Sequence, residues 1–357
     1  MHDVLEGVGP YEVKLVLNSL IEQKHLTLEK LNYKITSFDY GFCDKGNKPS
    51  VISKSDLRNL EGSKRQSATQ MWCLLRLLPT MIGDLIPMDN KHWELLLLLL
   101  LCMEFIFSPS LTVAATLYLS KIIEEHHSLF LELYPHLHLR PKHHFMLHYP
   151  GVIQKLGLLR QFWAMRFEAR HAFFKQVSHV TCNFRNICKT MAFRHQMMQC
   201  YNILCGTLLC HNTDIGPGHS TFLANIEGFK EIQSCLEGIP LFSELYVPAW
   251  VTFKGTEYRA GMTVFLSYDP YGEPQFGLIQ SILLLEQMSH TPAIKLVVKK
   301  WETRWFDRHL FAYSVILTQV LAAVDVGELL DHHPLHAAKS YREDDDSLYI
   351  SLRYRLF

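Results

Sequence analysis

Near residue 240 the repeat of apolar residues changes, and a chain with two different repeats needs two kinds of core. Ahead of that point the repeat is helical. Val13, Val16, Leu17 and Leu20 follow Pro10 at a first helical turn, and the same spacing runs through residues 63–78, 93–107, 111–133, 152–176 and 183–210. Residues 32–60 mix Gly, Asn, Pro and Ser with short apolar patches and predict a loop with one strand or short helix. Beyond residue 240 come short runs rich in Tyr, Val, Phe and Thr at 249–253, 262–268, 276–285, 294–301, 312–318 and 348–354. Asp269, Pro270, Tyr271 and Gly272 read as a turn between two of them.

The fold class this predicts is α+β. A mainly helical domain would occupy residues 1–238, and a small β-barrel, SH3-like or similar, residues 239–357. The length of 357 residues fits two domains, since single cores stop growing at roughly 250 to 300 residues. Glycines and prolines from Gly206 to Pro240 supply the linker, with a short helix over Phe222 to Phe229. The barrel would fold alone from about Tyr246 and bury Trp250, Phe265, Ile279, Val297 and Tyr349, with Glu343, Asp344, Asp345 and Asp346 in a solvated loop.

The most apolar stretch, Leu95 to Leu101, has no charge between Glu94 and Glu104. That is well short of the roughly 18 residues a bilayer span needs, so it predicts a buried helix and no membrane partner. The opening MHDVLEGVGP carries an acid at Asp3 and no basic region before an apolar stretch, unlike a signal peptide. Nine cysteines without a CxxC pair read as reduced thiols, which places the chain in the nucleus or cytoplasm. Met197, Met198 and Cys200 read as core filling, and the pairs His126–His127 and His332–His333 as surface histidines.

Charge is balanced overall, 35 Lys+Arg against 35 Asp+Glu, but not locally. From Leu133 to Thr213 there are ten cations, Arg140, Lys142, Lys155, Arg160, Arg166, Arg170, Lys175, Arg185, Lys189 and Arg194, and one acid, Glu168. Such a run is either a solvated helix face or a footprint for a phosphate backbone, whose counterions Lys and Arg displace. Glu168 is either an ion-pair anchor or a hard ligand for Mg²⁺ or Mn²⁺. In KHHFMLH, His143 and His148 stand five apart, and His144 and His148 four apart. Such histidines either ligate zinc or hydrogen-bond to phosphates and backbone. No GxGxxG, phosphate-binding P-loop, GxSxG or HExxH motif is present.

Three stretches together resemble the CACTA or EnSpm class of DDE transposases and, more distantly, the catalytic subunit of the V(D)J recombinase. MHDVLEGVGPYEVKLVL resembles the block around the second catalytic acid, and LRPKHHFMLHYPGVIQKLGLLRQFWAMRFEARHAFFKQ the block bearing the third. The tail, with FGLIQSILLL, LVVKKWETRWFD and YISLRYRLF, is similar to the small β domain that follows such cores. The resemblance implies Asp3 and Glu168 as the second and third acids, with Mg²⁺ or Mn²⁺ as the metal. It also implies His143 with His148 as the histidine half of a structural zinc site, and intervening helices inserted into a ribonuclease-H-like core. The family's first acid lies upstream of the second, and the matched stretch begins at the second.

Three functions compete on these grounds. One is an inactive transposase remnant that binds DNA non-specifically through Arg140, Lys142, Arg160, Arg166, Arg170, Lys175 and Arg185. Another is a non-catalytic module with a protein partner on its barrel. The third is a metal-dependent transposase completed by a further N-terminal region.

Overall fold

A computed structural model describes residues 2–59, 66–206, 213–226, 228–236, 240, 242–285, 293–339 and 347–356. Helices come first: a π-helical turn at Val4–Val8, then α1 (Gly9–Glu22), α2 (Leu28–Ser37), α3 (Gly41–Asp44), α4 (Lys54–Arg58) and α5 (Ala68–Ile82). They continue as α6 (Lys91–Ile106), α7 (Val113–Leu133), α8 (Pro141–Leu156), α9 (Met165–Thr181) and α10 (Ile187–Leu204). Several starts are written in the sequence. Ser67 accepts from the Gln70 backbone while the Gln70 side chain accepts from Ser67, and Asn90 and Thr112 cap α6 and α7.

The run from Leu95 to Leu101 lies inside α6, which buries Trp93, Leu95, Leu96, Leu98, Leu99 and Leu100 among the other helices. Among the described residues no helix is long and apolar enough to cross a membrane. The single helix expected over 152–176 is two helices, because Gly157 adopts φ +92° and ends α8. Residues 32–59 form the end of α2 and the short helices α3 and α4, with no strand among the described residues.

The strands are β1 (Asp214–Ile215), β2 (Gly218–Phe222), β3 (Glu244–Pro248), β4 (Trp250–Phe253), β5 (Thr256–Arg259) and β6 (Thr263–Tyr268). Then follow β7 (Pro274–Leu285), β8 (Ala293–Asp307), β9 (Ala312–Asp325), β10 (Asp331–Leu335), β11 (Ala337–Lys339) and β12 (Leu348–Ile350), with α11 (Phe229–Ile232) between β2 and β3. The expected turn joins β6 to β7, with Gly272 at φ +86°. The main antiparallel sheet runs β10-β6-β7-β8-β9-β12-β11, with β3 also on β7 and β2 on β3; a smaller sheet is β1-β4-β5. Residues 214–222, ahead of 239, therefore pair with strands beyond it.

The sheets do not close into a barrel. Both faces of the main sheet are covered by other means, which removes the drive to close. On one face Ile282, Leu284, Leu296 and Val298 pack with Val251 and Tyr258 of the smaller sheet. On the other, Leu283, Leu285 and Val297 meet Leu223, Ile232 and Leu236 around α11. The two edges are covered as well: Cys43 donates to the Leu335 carbonyl at the β10 edge, and Ala338 of β11 joins the helical core. Phe265, Ile279, Val297 and Tyr349 are buried as expected, while Trp250 is only partly so. The acidic run Glu343–Asp346 lies outside the described residues.

The tail is tied to the helices by polar contacts too. His309 Nε2 lies 2.9 Å from the Gly83 carbonyl and 3.0 Å from that of Ile86, and Trp93 Nε1 donates to the His309 carbonyl at 3.1 Å. Asp44 of α3 receives Arg76 of α5 and, at 3.2 Å, Arg353 of the tail.

Candidate functional site

The π-helical turn at Val4–Val8 sets residues 2–6 against the first two turns of α8 and the start of α9. Gly7 makes this approach possible, since a Cβ there would stand 2.2 Å from Cδ of Lys142. The Lys142 stem crosses that space, and Nζ donates to the carbonyls of His2 at 2.7 Å and Glu6 at 3.3 Å. Tyr149, two turns along α8, donates to Asp3 Oδ2 at 3.0 Å. Burial, then the Asp3 carboxylate, pushes that phenol up. His2 stands between two carboxylates, with Nδ1 2.5 Å from Glu6 and Nε2 2.9 Å from Glu168 of α9. Residues 2 and 168, far apart in sequence, thus meet.

A cavity of about 270 Å³ opens beside this cluster, lined by His2, Asp3, Tyr149, Phe107, Arg160 and Trp163. A larger cleft of about 630 Å³ lies across the same turn, between α1, α4, α5 and the start of α8. Its walls are mostly apolar, with Lys14, Arg140 and Lys142 among its lining.

Of the two readings of the KHHFMLH histidines, His143 follows the backbone hydrogen-bonding one, and His126 and His127 depart from the surface placement expected of them. His143 is buried: Nε2 donates to Glu12 Oε1 at 2.9 Å, and Nδ1 accepts from the Arg140 backbone at 3.1 Å. His148 is exposed and faces His144, 3.1 Å between Nε2 atoms. The two expected zinc ligands therefore point to different places. His126 and His127, read as surface residues, are buried: His126 Nε2 donates to Glu12 Oε2 at 2.8 Å, and His127 contacts the carbonyls of Ile123 at 2.6 Å and His143 at 3.1 Å. Their burial was signalled by position, because His126 continues the buried series Leu119, Ile122, Ile123 and Phe130 on α7. Burial opposes the Glu12 charge, but the two imidazoles outweigh it and hold the carboxyl down to about 2.

Among the described residues no group of three or more His, Cys, Asp and Glu side chains is arranged to hold a metal ion. Asp3 and Glu168 each already engage a donor, Tyr149 and His2, that a cation would displace. As a donor set for two-metal chemistry these two carboxylates do not suffice.

The basic residues divide into two groups. Arg140 lies over the Tyr11 ring, 3.7 Å from its centre, and Arg160 lies between Trp163 and Tyr354 at 5.7 and 4.7 Å. With Lys142 these serve the fold. Arg170 and Lys175 on α9, Arg185 in the turn that follows, and Lys189 and Arg194 on α10 are exposed and without ion pairs among the described residues; Arg166 also lies on α9. Met197 and Cys200 of α10, read as core, are exposed.

No protein family, no curated protein and no solved structure matches the chain.

Proposed function

We propose that the chain is a non-catalytic, DNA-binding relative of the second half of a DDE transposase core. The observation that carries this reading is the contact of His2 with Glu168, 2.9 Å apart. It joins the two sequence blocks whose resemblance to that family named Asp3 and Glu168 as acids. His2 and Asp3 of the first block and Glu168 of the second thus contribute to one polar cluster, which supports the reading. The cations of α9 and α10, exposed and without ion pairs among the described residues, share α9 with Glu168 or follow it on α10 and supply an electrostatic footprint for phosphates. Catalysis by Mg²⁺ or Mn²⁺ belongs to this reading only with a further acid beside Asp3 and Glu168.

Labelled duplex DNA titrated by fluorescence anisotropy at low and moderate salt tests the binding. Affinity falls steeply with salt, and Arg170→Ala with Lys175→Ala flattens that slope by about 1 for each phosphate no longer neutralised. Unchanged affinity in this variant overturns the reading. With Mn²⁺ and supercoiled plasmid the chain leaves the DNA uncut; nicking that disappears in Glu168→Ala overturns its non-catalytic part.

A further inference from the structure

We infer that the hairpin of α9 and α10 takes an unpaired strand of nucleic acid in preference to a duplex, an inference that rests on the DNA-binding reading above. An 18-residue helix is usually held by a buried face, yet α10 buries no residue. Large side chains of both helices and of the turn between them are instead turned outward. Phe167 is 68% exposed, Phe184 71%, Phe193 65% and Tyr201 67%. Interleaved with these rings along the sequence are Arg170, Lys175, Arg185, Lys189 and Arg194, all exposed and without ion pairs among the described residues.

Cations interleaved with exposed aromatic rings match the chemistry of one polymer in both its parts. The cations match the phosphates, and the rings match base faces, which are uncovered only in an unpaired strand. In a duplex each base face is already covered by its neighbours, so these rings would gain nothing there. A second copy of the hairpin would set cations against cations. A lipid surface calls for apolar residues gathered on one side, and on both helices they are spread around the axis.

The test uses the full chain and two labelled probes, an oligothymidylate of about 20 nucleotides and a duplex of the same length, at two salt concentrations. The strand binds about tenfold more tightly than the duplex. Phe193→Ala with Tyr201→Ala, both at exposed positions outside the core, weakens the strand by tenfold or more and leaves the duplex and the salt slope unchanged. Equal or tighter duplex binding, or strand binding indifferent to the aromatic variant, overturns this inference while leaving salt-dependent duplex binding in place. If neither probe binds with a salt dependence, both this inference and the reading beneath it fail. Binding to phosphatidylserine vesicles that the aromatic variant abolishes, with no strand binding, also overturns it and makes the hairpin a lipid contact.

Discussion

Glu12 accepts from His143 through one carboxylate oxygen and from His126 through the other, so that one buried acid clamps α1 to α7 and α8 at once. Removing it leaves two buried imidazoles without an acceptor, and Glu12→Ala is expected to cost about 3–5 kcal/mol. The carboxyl is held below its ordinary value, down to about 2, so its contribution is complete above about pH 4.5 and is lost as the pH falls toward 2. Denaturant titrations of the native chain and Glu12→Gln at about pH 7 and about pH 3 show this as a stability gap that narrows in acid. A gap of constant size contradicts the assignment.

Trp93 and His309 make the corresponding link between helices and tail. Indole Nε1 donates to the His309 carbonyl, while the His309 ring serves the carbonyls of Gly83 and Ile86. All of this is buried, and the fragment from Tyr246 onward would expose it and would also lack β2, the partner of β3. These contacts argue that helices and tail melt together. His309→Ala, which orphans buried carbonyls, is expected to lower stability by about 1–3 kcal/mol in a single transition seen equally by helical and strand signals. Two separate transitions, or a cooperatively folded Tyr246–Phe357 fragment, would show the tail to be independent.

The thiols divide by depth. Burial pushes Cys43 up to about 11, Cys73 up to about 12 and Cys102 further still, whereas Cys182, Cys188, Cys200, Cys205 and Cys235 are exposed. Because the thiolate is the nucleophile, a maleimide under native conditions modifies these exposed five and spares Cys43, Cys73 and Cys102, among the described cysteines, until the chain unfolds. Peptide mapping reads the result, and native labelling of Cys102 at the rate of Cys188 would refute the placement of α6 in the core.

Local pattern made much of this fold legible. The spacing of Val13, Val16, Leu17 and Leu20 shows α1, and the apolar run at 95–101 shows α6 as buried. The switch near residue 240 marks the change from helices to strands to within a few tens of residues, β1 and β2 at 214–222 coming ahead of it. What stayed hidden depends on distant partners. Spacing along α7 marks His126 as buried, but its partner Glu12 lies 114 residues away, and His143 turns inward for the same carboxylate. Barrel closure failed because Leu223, Ile232 and Leu236, in a stretch read as linker, cover one sheet face. The exposure of Met197 could not be read from composition, since nothing local says that α10 meets α9 without burying any of its own residues. At the candidate site, Asp3 and Glu168 were named by resemblance, whereas the intermediary His2 and the donor Tyr149 emerge only from three-dimensional contact.

Glu104 and Arg355 provide the last test, because their pairing sits where α6 meets the end of the chain. Glu104 is buried, and Arg355 approaches its Oε2 at 3.3 Å without completing a hydrogen bond. Burial therefore wins over the guanidinium and pushes the carboxyl up to about 7. A carboxyl raised in the folded state binds its proton more tightly there than in the unfolded chain. Its contribution is then complete below about pH 4.5 and is lost as the pH rises through about 7. The loss is on the order of 3 kcal/mol, from a shift of between two and three units. In Glu104→Gln the side chain keeps its shape and its neutrality at every pH, so this slope disappears. Stability measured by denaturant from about pH 5 to about pH 8 should fall in the native chain and stay nearly level, as far as this group is concerned, in the variant. Parallel curves would mean that Glu104 stays ionised in the fold and that Arg355 neutralises it fully.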